Sequence, residues 1–266
     1  MDPRIVDMLR QLNNEFYRRC APAFSHTRQA PWEGWRACLP HLCSACRVND
    51  AGNVELLLAD IACGNGRFES FVAEGLPEVD VRAMAVDGCA ELLEEARASG
   101  AEAVLFDALS ALVEGAPWEL SAVPFDAAVS FGFLHHIPSH ALRERALREL
   151  LDLVRPGGIV VVSLWCYLED ERLARKAQRS HLEALAVLAS TVREQWGLDL
   201  VEQLEEGDRF LGWQDAPCLW RYCHSFDDAE IDCLSATVAD AADEVARFRS
   251  DGKSGRLNAY LIFRKH

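Results

Sequence analysis

Leu56-Leu57-Leu58-Ala59-Asp60-Ile61-Ala62-Cys63-Gly64-Asn65-Gly66 is an apolar run of strand type that ends at an acid and passes into a glycine-spaced turn. A helix-compatible segment begins at Arg67. Strand, glycine turn and helix in that order let a nucleotide touch the backbone, because glycine has no Cβ to hold it away. The spacing narrows the ligand. A dinucleotide fingerprint reads G-x-G-x-x-G. Gly64 and Gly66 fill its first two positions, but Glu69 stands at the third. A carboxylate there meets a pyrophosphate with like charge, and Asp60 adds a second acid. The stretch suits a ligand with an adenosine and a cationic part, and suits a polyphosphate poorly.

Working outward, the pattern predicts strands over about 54–62, 81–87, 103–107, 125–131 and 158–165, with helices over 67–74, 89–99 and 139–153 between them. The run from Gly158 to Trp165 is almost wholly apolar, as in a strand buried on both faces. Strands alternating with helices predict an α/β fold, a doubly wound and mostly parallel sheet with right-handed crossovers. Upstream, Ile5, Leu9, Leu12 and Phe16 recur at helical spacing over 3–20, residues 21–36 read as irregular and aromatic, and 33–47 as a second helix. Downstream come a long charged helix over 169–196, a loop-rich insertion over 197–225, a helix near 226–239 and two closing strands near 244–249 and 257–264. The expected organisation is one domain over 1–266: an N-terminal helical extension to about residue 50, a ligand-binding core over 54–165, and the insertion and closing strands over 166–266.

The 266 residues, half of them hydrophobic, are enough for one large core. No apolar run is long enough to span a bilayer, and Met1-Asp2-Pro3-Arg4-Ile5 lacks the basic-then-apolar pattern of a secretory signal, so a cytoplasmic protein is expected. Ten Cys fit free thiols in a reducing compartment. Cys43 and Cys46 have C-x-x-C spacing with Cys38 and His41 upstream. A structural zinc needs four ligands, and Cys218, Cys223 and His224 are the only other local candidates, so no metal is the default expectation. The formal charge of -15 opposes non-specific nucleic-acid binding. It is uneven, because residues 1–48 carry seven Arg against four acids, a net of +3.

Asp60, Asp87 and Asp107 end three consecutive expected strands, and ligands of open α/β sheets bind beyond the carboxyl ends of strands. Asp87 can accept from both ribose hydroxyls, Asp107 from an adenine amino group, and Asp60 sits near a ligand ammonium. Gly64 and Gly66 allow close approach, while Ser130, Phe131 and Gly132 line the other wall. The ordered set resembles the motifs of the class I S-adenosylmethionine-dependent methyltransferases. Their first motif is usually D-x-G-x-G-x-G, with Ala62 here in place of a Gly. The resemblance implies S-adenosyl-L-methionine as cofactor, held by Asp60, Ala62, Gly64, Gly66, Asp87, Gly88, Asp107, Ala108, Ser130, Phe131 and Gly132.

Two features lie outside the general fold. Phe24-Ser25-His26-Thr27-Arg28 with Pro31-Trp32 stands upstream, and Leu134-His135-His136-Ile137-Pro138 follows the fourth strand. Together with Trp165 and Arg221-Tyr222-Cys223-His224-Ser225-Phe226, they resemble the tRNA methyltransferases that esterify a carboxymethyl group on wobble uridine. That family's segments read F-S-x-T-R-x-x-P-W and R-Y-Y-H-x-F, and Cys223 replaces the second Tyr of the latter. The resemblance implies that Arg28 orients the substrate carboxylate, that His135 or His136 faces the transferred methyl or the uracil, and that Trp165 stacks on the base. Arg221, Tyr222 and His224 would complete the pocket. It also implies a tRNA substrate and a small activating protein partner. The acidic balance leaves other readings open: a small carboxylate or other small molecule as O- or N-methyl acceptor, or a non-catalytic cofactor-binding regulatory subunit.

Overall fold

In the computed structural model, which describes residues 1–27, 30–98, 101–213, 216 and 218–266, the alternating pattern has produced the expected sheet. The chain runs α1 (Pro3–His26), α2 (Glu33–Cys43), β1 (Arg47–Val48), β2 (Val54–Ile61), α3 (Arg67–Gly75), β3 (Asp80–Asp87), α4 (Ala90–Ala98), β4 (Glu102–Leu105), α5 (Ala108–Glu114) and β5 (Phe125–Ser130). It continues through α6 (His140–Leu153), β6 (Val154–Trp165), α7 (Glu171–Trp196), α8 (Leu200–Gln203), β7 (Asp208–Gly212), β8 (Trp220–His224), α9 (Asp228–Ala236), β9 (Ala242–Ser250) and β10 (Asn258–Lys265). The main sheet has the order β4-β3-β2-β5-β6-β10-β9, with β1 paired to β2. Strands β2 to β6 run parallel to one another, β1 is antiparallel to β2, and β10 lies antiparallel between β6 and β9. This is the mixed seven-strand order of the class I methyltransferase fold.

Alternation along each central strand feeds two apolar layers. On one face Ala59, Ile61, Ala128, Val160, Val162, Leu164, Leu261 and Phe263 meet the helices α5, α6 and α9. On the other, Leu56, Leu58, Ala127, Val129, Ile159, Val161 and Ile262 meet Trp35, Cys38 and Leu42 of α2 and Phe68 and Val72 of α3. Each fully buried Leu, Ile, Val or Phe side chain among these stabilises the fold by roughly 1.5–3 kcal/mol. A third layer packs Ile5 and Leu9 of α1 against Ala184 and Val192 of α7 and Phe210, Trp220 and Tyr222 of the β7–β8 hairpin.

Several boundaries differ from the sequence reading, each for a physical reason. Helix α1 runs on to His26 through Pro22. Its last turn is tied down by Ser25, which bonds Glu95 and accepts from Asn65 Nδ2 at 3.0 Å. Asp107 lies two residues beyond β4 and caps α5, accepting from Ser110 N at 2.9 Å. The insertion is not only loop: it holds α8 and the two-stranded β7–β8 sheet. Strand β6 begins at Val154, where Gly158 passes so close to Asp126 that a Cβ would lie 2.9 Å from its carbonyl oxygen.

Ala62 has a φ of 62°, in the left-handed region. A Cβ in that conformation costs roughly 1–2 kcal/mol. Glycine loses more entropy on folding and gives part of this back. Ala62→Gly is therefore expected to raise the unfolding free energy by about 0.5–1 kcal/mol, seen as a higher urea midpoint at constant slope. An unchanged or lower midpoint would show that the turn holds no such strain.

Candidate active site

A cavity of about 860 Å³ opens beyond the carboxyl ends of five strands. Ala62, Cys63, Gly64 and Asn65 follow β2, Asp87 and Gly88 close β3, Phe106 to Leu109 follow β4, Phe131 to Phe133 follow β5, and Trp165 ends β6. The reversal of strand order between β2 and β5 produces this crevice. The β2–α3 turn needs its glycines, since Gly64 and Gly66 have φ of 61° and 74°. Asp87 is anchored by the turn: it accepts from Gly64 N at 2.9 Å and from Cys89 N at 2.8 Å.

The acids of this end are held away from water. Burial pushes the Asp87 carboxyl up to about 6, against the two backbone N–H groups and with the Asp107 charge adding to the rise. Burial also pushes Glu69 up to about 7. Asp60 rises well above the usual carboxylate range through burial and then through the charges of Glu69 and Asp87. A floor of crowded, largely desolvated acids with glycine turns fits an adenosine carrying a cation, because a nearby cation lowers these values and favours the ionised carboxylates. It does not fit a polyphosphate.

The opposite end is aromatic and cationic. The Arg221 guanidinium is buried among rings, 5.0 Å from the centroid of Phe16, 5.8 Å from Trp213 and 6.0 Å from Tyr17 and Trp165. His135 stacks obliquely on Trp165 at 5.1 Å. His136 Nδ1 lies 2.9 Å from the carbonyl of Tyr222, which can only accept, so Nδ1 carries the proton. Nε2 then accepts from the Tyr17 hydroxyl at 2.7 Å, and Tyr17 accepts from Arg221 at 3.1 Å. Burial, and then the Arg221 charge, lower the His136 value to about 3. The imidazole is neutral and stays so.

Of the residues singled out from sequence, Ala62, Gly64, Asp87, Gly88, Asp107, Ala108, Phe131, Gly132, His135, His136, Trp165 and Arg221 line the cavity. Asp107 does so with its carboxylate engaged by Ser110 and, at 3.0 Å, by Asn14 Nδ2. Asp60, Gly66 and Ser130 stand behind the wall, Gly66 as the N-cap of α3 and Ser130 donating to Ile61 O at 3.0 Å. Tyr222 and His224 do not line it. Tyr222 donates to Asp208 at 2.6 Å in the interior, and His224 sits between Asp208 and Glu230 at 2.7 and 2.5 Å. Arg28 lies outside the described residues.

Helix α1 supplies cavity residues that the sequence did not announce. Asn14 and Tyr17 line the wall, and Asn13 fixes the helix by donating to His136 O and accepting from Tyr222 N at 2.7 Å. The available signal was the polar Asn13-Asn14 pair and Tyr17 inside an otherwise amphipathic helix. Asp251 and Asn258 close the far rim; Asp251 accepts from Gly34 N at 3.1 Å and from Asn258 Nδ2 at 2.8 Å.

The cysteines are free thiols. Among the described residues, metal-ligand types converge at His135, His136 and Cys223 and at Glu205, His224 and Glu230. Cys43 and Cys46 belong to neither group, so Cys218, Cys223 and His224 do not complete a site with them. No helix of the described residues is long and apolar enough to cross a membrane.

Residues 58–158 match a family model described as a methyltransferase domain. The mouse probable tRNA methyltransferase 9B is 27% identical over 176 residues, covering 66% of this chain and 34% of its own. A tRNA (carboxymethyluridine(34)-5-O)-methyltransferase of Arabidopsis thaliana is 28% identical over 160 residues, covering 58% of this chain and 33% of its own. The chain thus spans about a third of the length of such relatives. A solved structure described as a DhpI-SAH complex superposes over 97% of both chains with a TM-score of 0.58 at 17% identity. A SAM-dependent methyltransferase of Methanosarcina mazei does so over 79% of this chain and 92% of its own, with a TM-score of 0.55 at 16% identity.

Proposed function

We infer that this chain, which carries a class I S-adenosylmethionine-dependent methyltransferase domain, transfers the cofactor's methyl group to a carboxylate, and that the carboxylate is the carboxymethyl group of a tRNA wobble uridine. The observation that carries the first half is a buried cation, Arg221, beside a histidine held neutral at about 3. A hydroxyl or ammonium acceptor needs a base, and His136 cannot take its proton at neutral pH. A carboxylate is already anionic there and needs only orientation and a dry site. The second half rests on the curated relatives, whose names specify carboxymethyluridine at position 34.

S-adenosylmethionine, when bound, supplies an electrophilic methyl on a sulfonium. Asp87 accepts from the ribose hydroxyls, the backbone of Ala62 to Asn65 receives the amino-acid end, and Asp107 and Ala108 border the adenine. Phe131 and Gly132 close the cofactor's other side; a Cβ on Gly132 would lie 3.3 Å from the Trp32 ring. Arg221 pairs with the substrate carboxylate, while Trp165 stacks on the uracil and His135 borders the reacting oxygen; the family resemblance adds Arg28 as a second cation for that carboxylate.

The test is incubation of the purified chain with cofactor and a synthetic anticodon stem-loop carrying 5-carboxymethyluridine. The expected product is a base-labile methyl ester on that uridine, found by mass spectrometry of the digested RNA. Methylation of a small amine or alcohol, with none on the RNA or on a free carboxylate, would overturn the reading.

The role of Asp87 predicts a pH dependence. Its ionised form accepts the ribose hydroxyls and attracts the ligand cation, so the bound state holds fewer protons than the free protein. Affinity for S-adenosylhomocysteine is expected to fall by up to about tenfold per pH unit below about 6, and to level off at higher pH. Calorimetry across this range reads it directly. A flat profile would remove Asp87 from ligand binding.

A further inference from the structure

Arg172, Arg175, Lys176 and Arg179 fall within eight residues of α7 and are all exposed. Their spacing of three, four and seven places them on one helical stripe. It lies opposite the face of α7 that buries Ala177, His181 and Ala184 and half-buries Leu173. None of the four forms an ion pair or hydrogen bond among the described residues. That is unusual in this molecule, where most exposed Arg side chains meet an acid, as Arg18, Arg82, Arg97 and Arg247 do. Unpaired cations concentrated on one stripe of a chain of net charge -15 form a local positive field.

The first turn of α7 lies beside the cavity lining. Leu173, on the inner face of the helix, packs in the same cluster as Trp165 and Leu257, and both of those line the cavity. Lys253 and Arg256, exposed on the turn between β9 and β10, flank the same rim. An RNA strand whose internal uridine enters the cavity has this edge available for its flanking backbone. The stripe is roughly 10 Å long at 1.5 Å per residue, enough to meet two or three consecutive phosphates. Three of the four cations are Arg, whose planar fork matches phosphate oxygens.

We propose that the solvent-facing stripe Arg172–Arg175–Lys176–Arg179 of α7 is a docking surface for the phosphate backbone of an RNA substrate. This rests on the RNA reading of the cavity given above. An acidic protein on the same stripe is the competing occupant. The stripe acts on the polymer and not on the reacting group, so it contributes to RNA affinity and leaves cofactor binding alone.

The experiment combines Arg172→Gln, Arg175→Gln, Lys176→Gln and Arg179→Gln in the full chain. Binding of the fluorescein-labelled anticodon stem-loop is followed by anisotropy at several salt concentrations, with S-adenosylhomocysteine calorimetry as a check on the fold. A second variant removes four positive charges from ion-paired surface positions, by Arg82→Gln, Arg97→Gln, Arg148→Gln and Arg193→Gln. The stripe variant is expected to bind RNA at least about tenfold more weakly, with a salt slope smaller by about 2 to 3. Its S-adenosylhomocysteine affinity should match wild type, and the second variant should lose much less RNA affinity. Wild-type RNA affinity and slope in the stripe variant would overturn the proposal while leaving the function standing. Equal losses in both variants would also overturn it, by showing a net-charge effect. Wild-type protein that neither binds nor methylates the stem-loop fails before any substitution, and overturns the RNA reading and the stripe together; capture of an acidic protein by the stripe then identifies its occupant.

Discussion

Arg221→Met is expected to lower kcat/KM for the carboxylate substrate by roughly 10- to 100-fold while changing S-adenosylhomocysteine affinity little. A charge-assisted hydrogen bond to a carboxylate is worth about 1.5–3 kcal/mol, and Met keeps the apolar contact with Phe16 and Trp213 while removing the charge. Arg221→Lys should recover only part of the loss, since a point charge on a flexible stem lacks the planar fork. A purely structural role for Arg221 predicts something else: a lower unfolding midpoint with little change in kinetics at a temperature where the protein is folded. The two are separated by a third readout. Arg221 helps hold His136 at about 3, so its removal lets the imidazole rise toward its usual range. At saturating cofactor, where the Asp87 effect on affinity is removed, turnover of the variant should then acquire a pH dependence absent from wild type. Turnover within about threefold of wild type at neutral pH would mean that Arg221 does not touch the substrate.

The cofactor end was legible in the sequence because its chemistry is local. The chain must turn sharply after β2, so glycine spacing, the acid on β2 and the acid ending β3 fall within short segments whose periodicity reveals the strand ends. The substrate end is assembled from parts far apart in sequence. Arg221 reaches the cavity only because β8 pairs with β7 and both pack on α1 and α7. A run of alternating polar and aromatic residues around a loop-like segment does not show that pairing. Tyr17 illustrates the same limit: its place on an amphipathic helix says nothing of the His136 ring 2.7 Å away. His224 shows the opposite risk. The segment R-Y-C-H puts Arg221 and His224 three residues apart, and the odd and even positions of a strand point to opposite faces. Arg221 faces the cavity, while His224 faces an interior cluster of carboxylates behind it.

That cluster is where a single substitution should cost the fold most. Arg143 has 1% of its side chain exposed and bonds Glu205, Glu230 at 2.8 Å and the carbonyl of Ile137 at 3.1 Å. His224 bridges Glu230 and Asp208, so two cations hold three acids that join α6, the segment before β7, β8 and α9. Arg143→Met would leave Glu205 and Glu230 facing each other with one cation fewer; Glu205 is 34% exposed and His224 still meets Glu230, so the cost falls toward the lower end of the range of about 3–5 kcal/mol for a fully buried broken pair. The urea midpoint should drop accordingly, while a Glu205→Gln/Arg143→Met double variant should recover part of the loss because the repulsion goes with the charge. The His224 link adds a pH signature. Burial opposes its charged form, yet the hydrogen bonds to Asp208 and Glu230 outweigh burial and raise its value above 6.5. Its contribution is therefore complete below about 6.5 and fades as pH rises through the raised value. Glu230, lowered by His224 and Arg143 against its own burial, contributes above its usual 4.5 and loses this as pH falls. The stability gap between wild type and His224→Gln should thus be larger near pH 6 than near pH 9. A gap that widens toward high pH would mean that His224 is neutral in the fold and that Arg143 alone neutralises these acids.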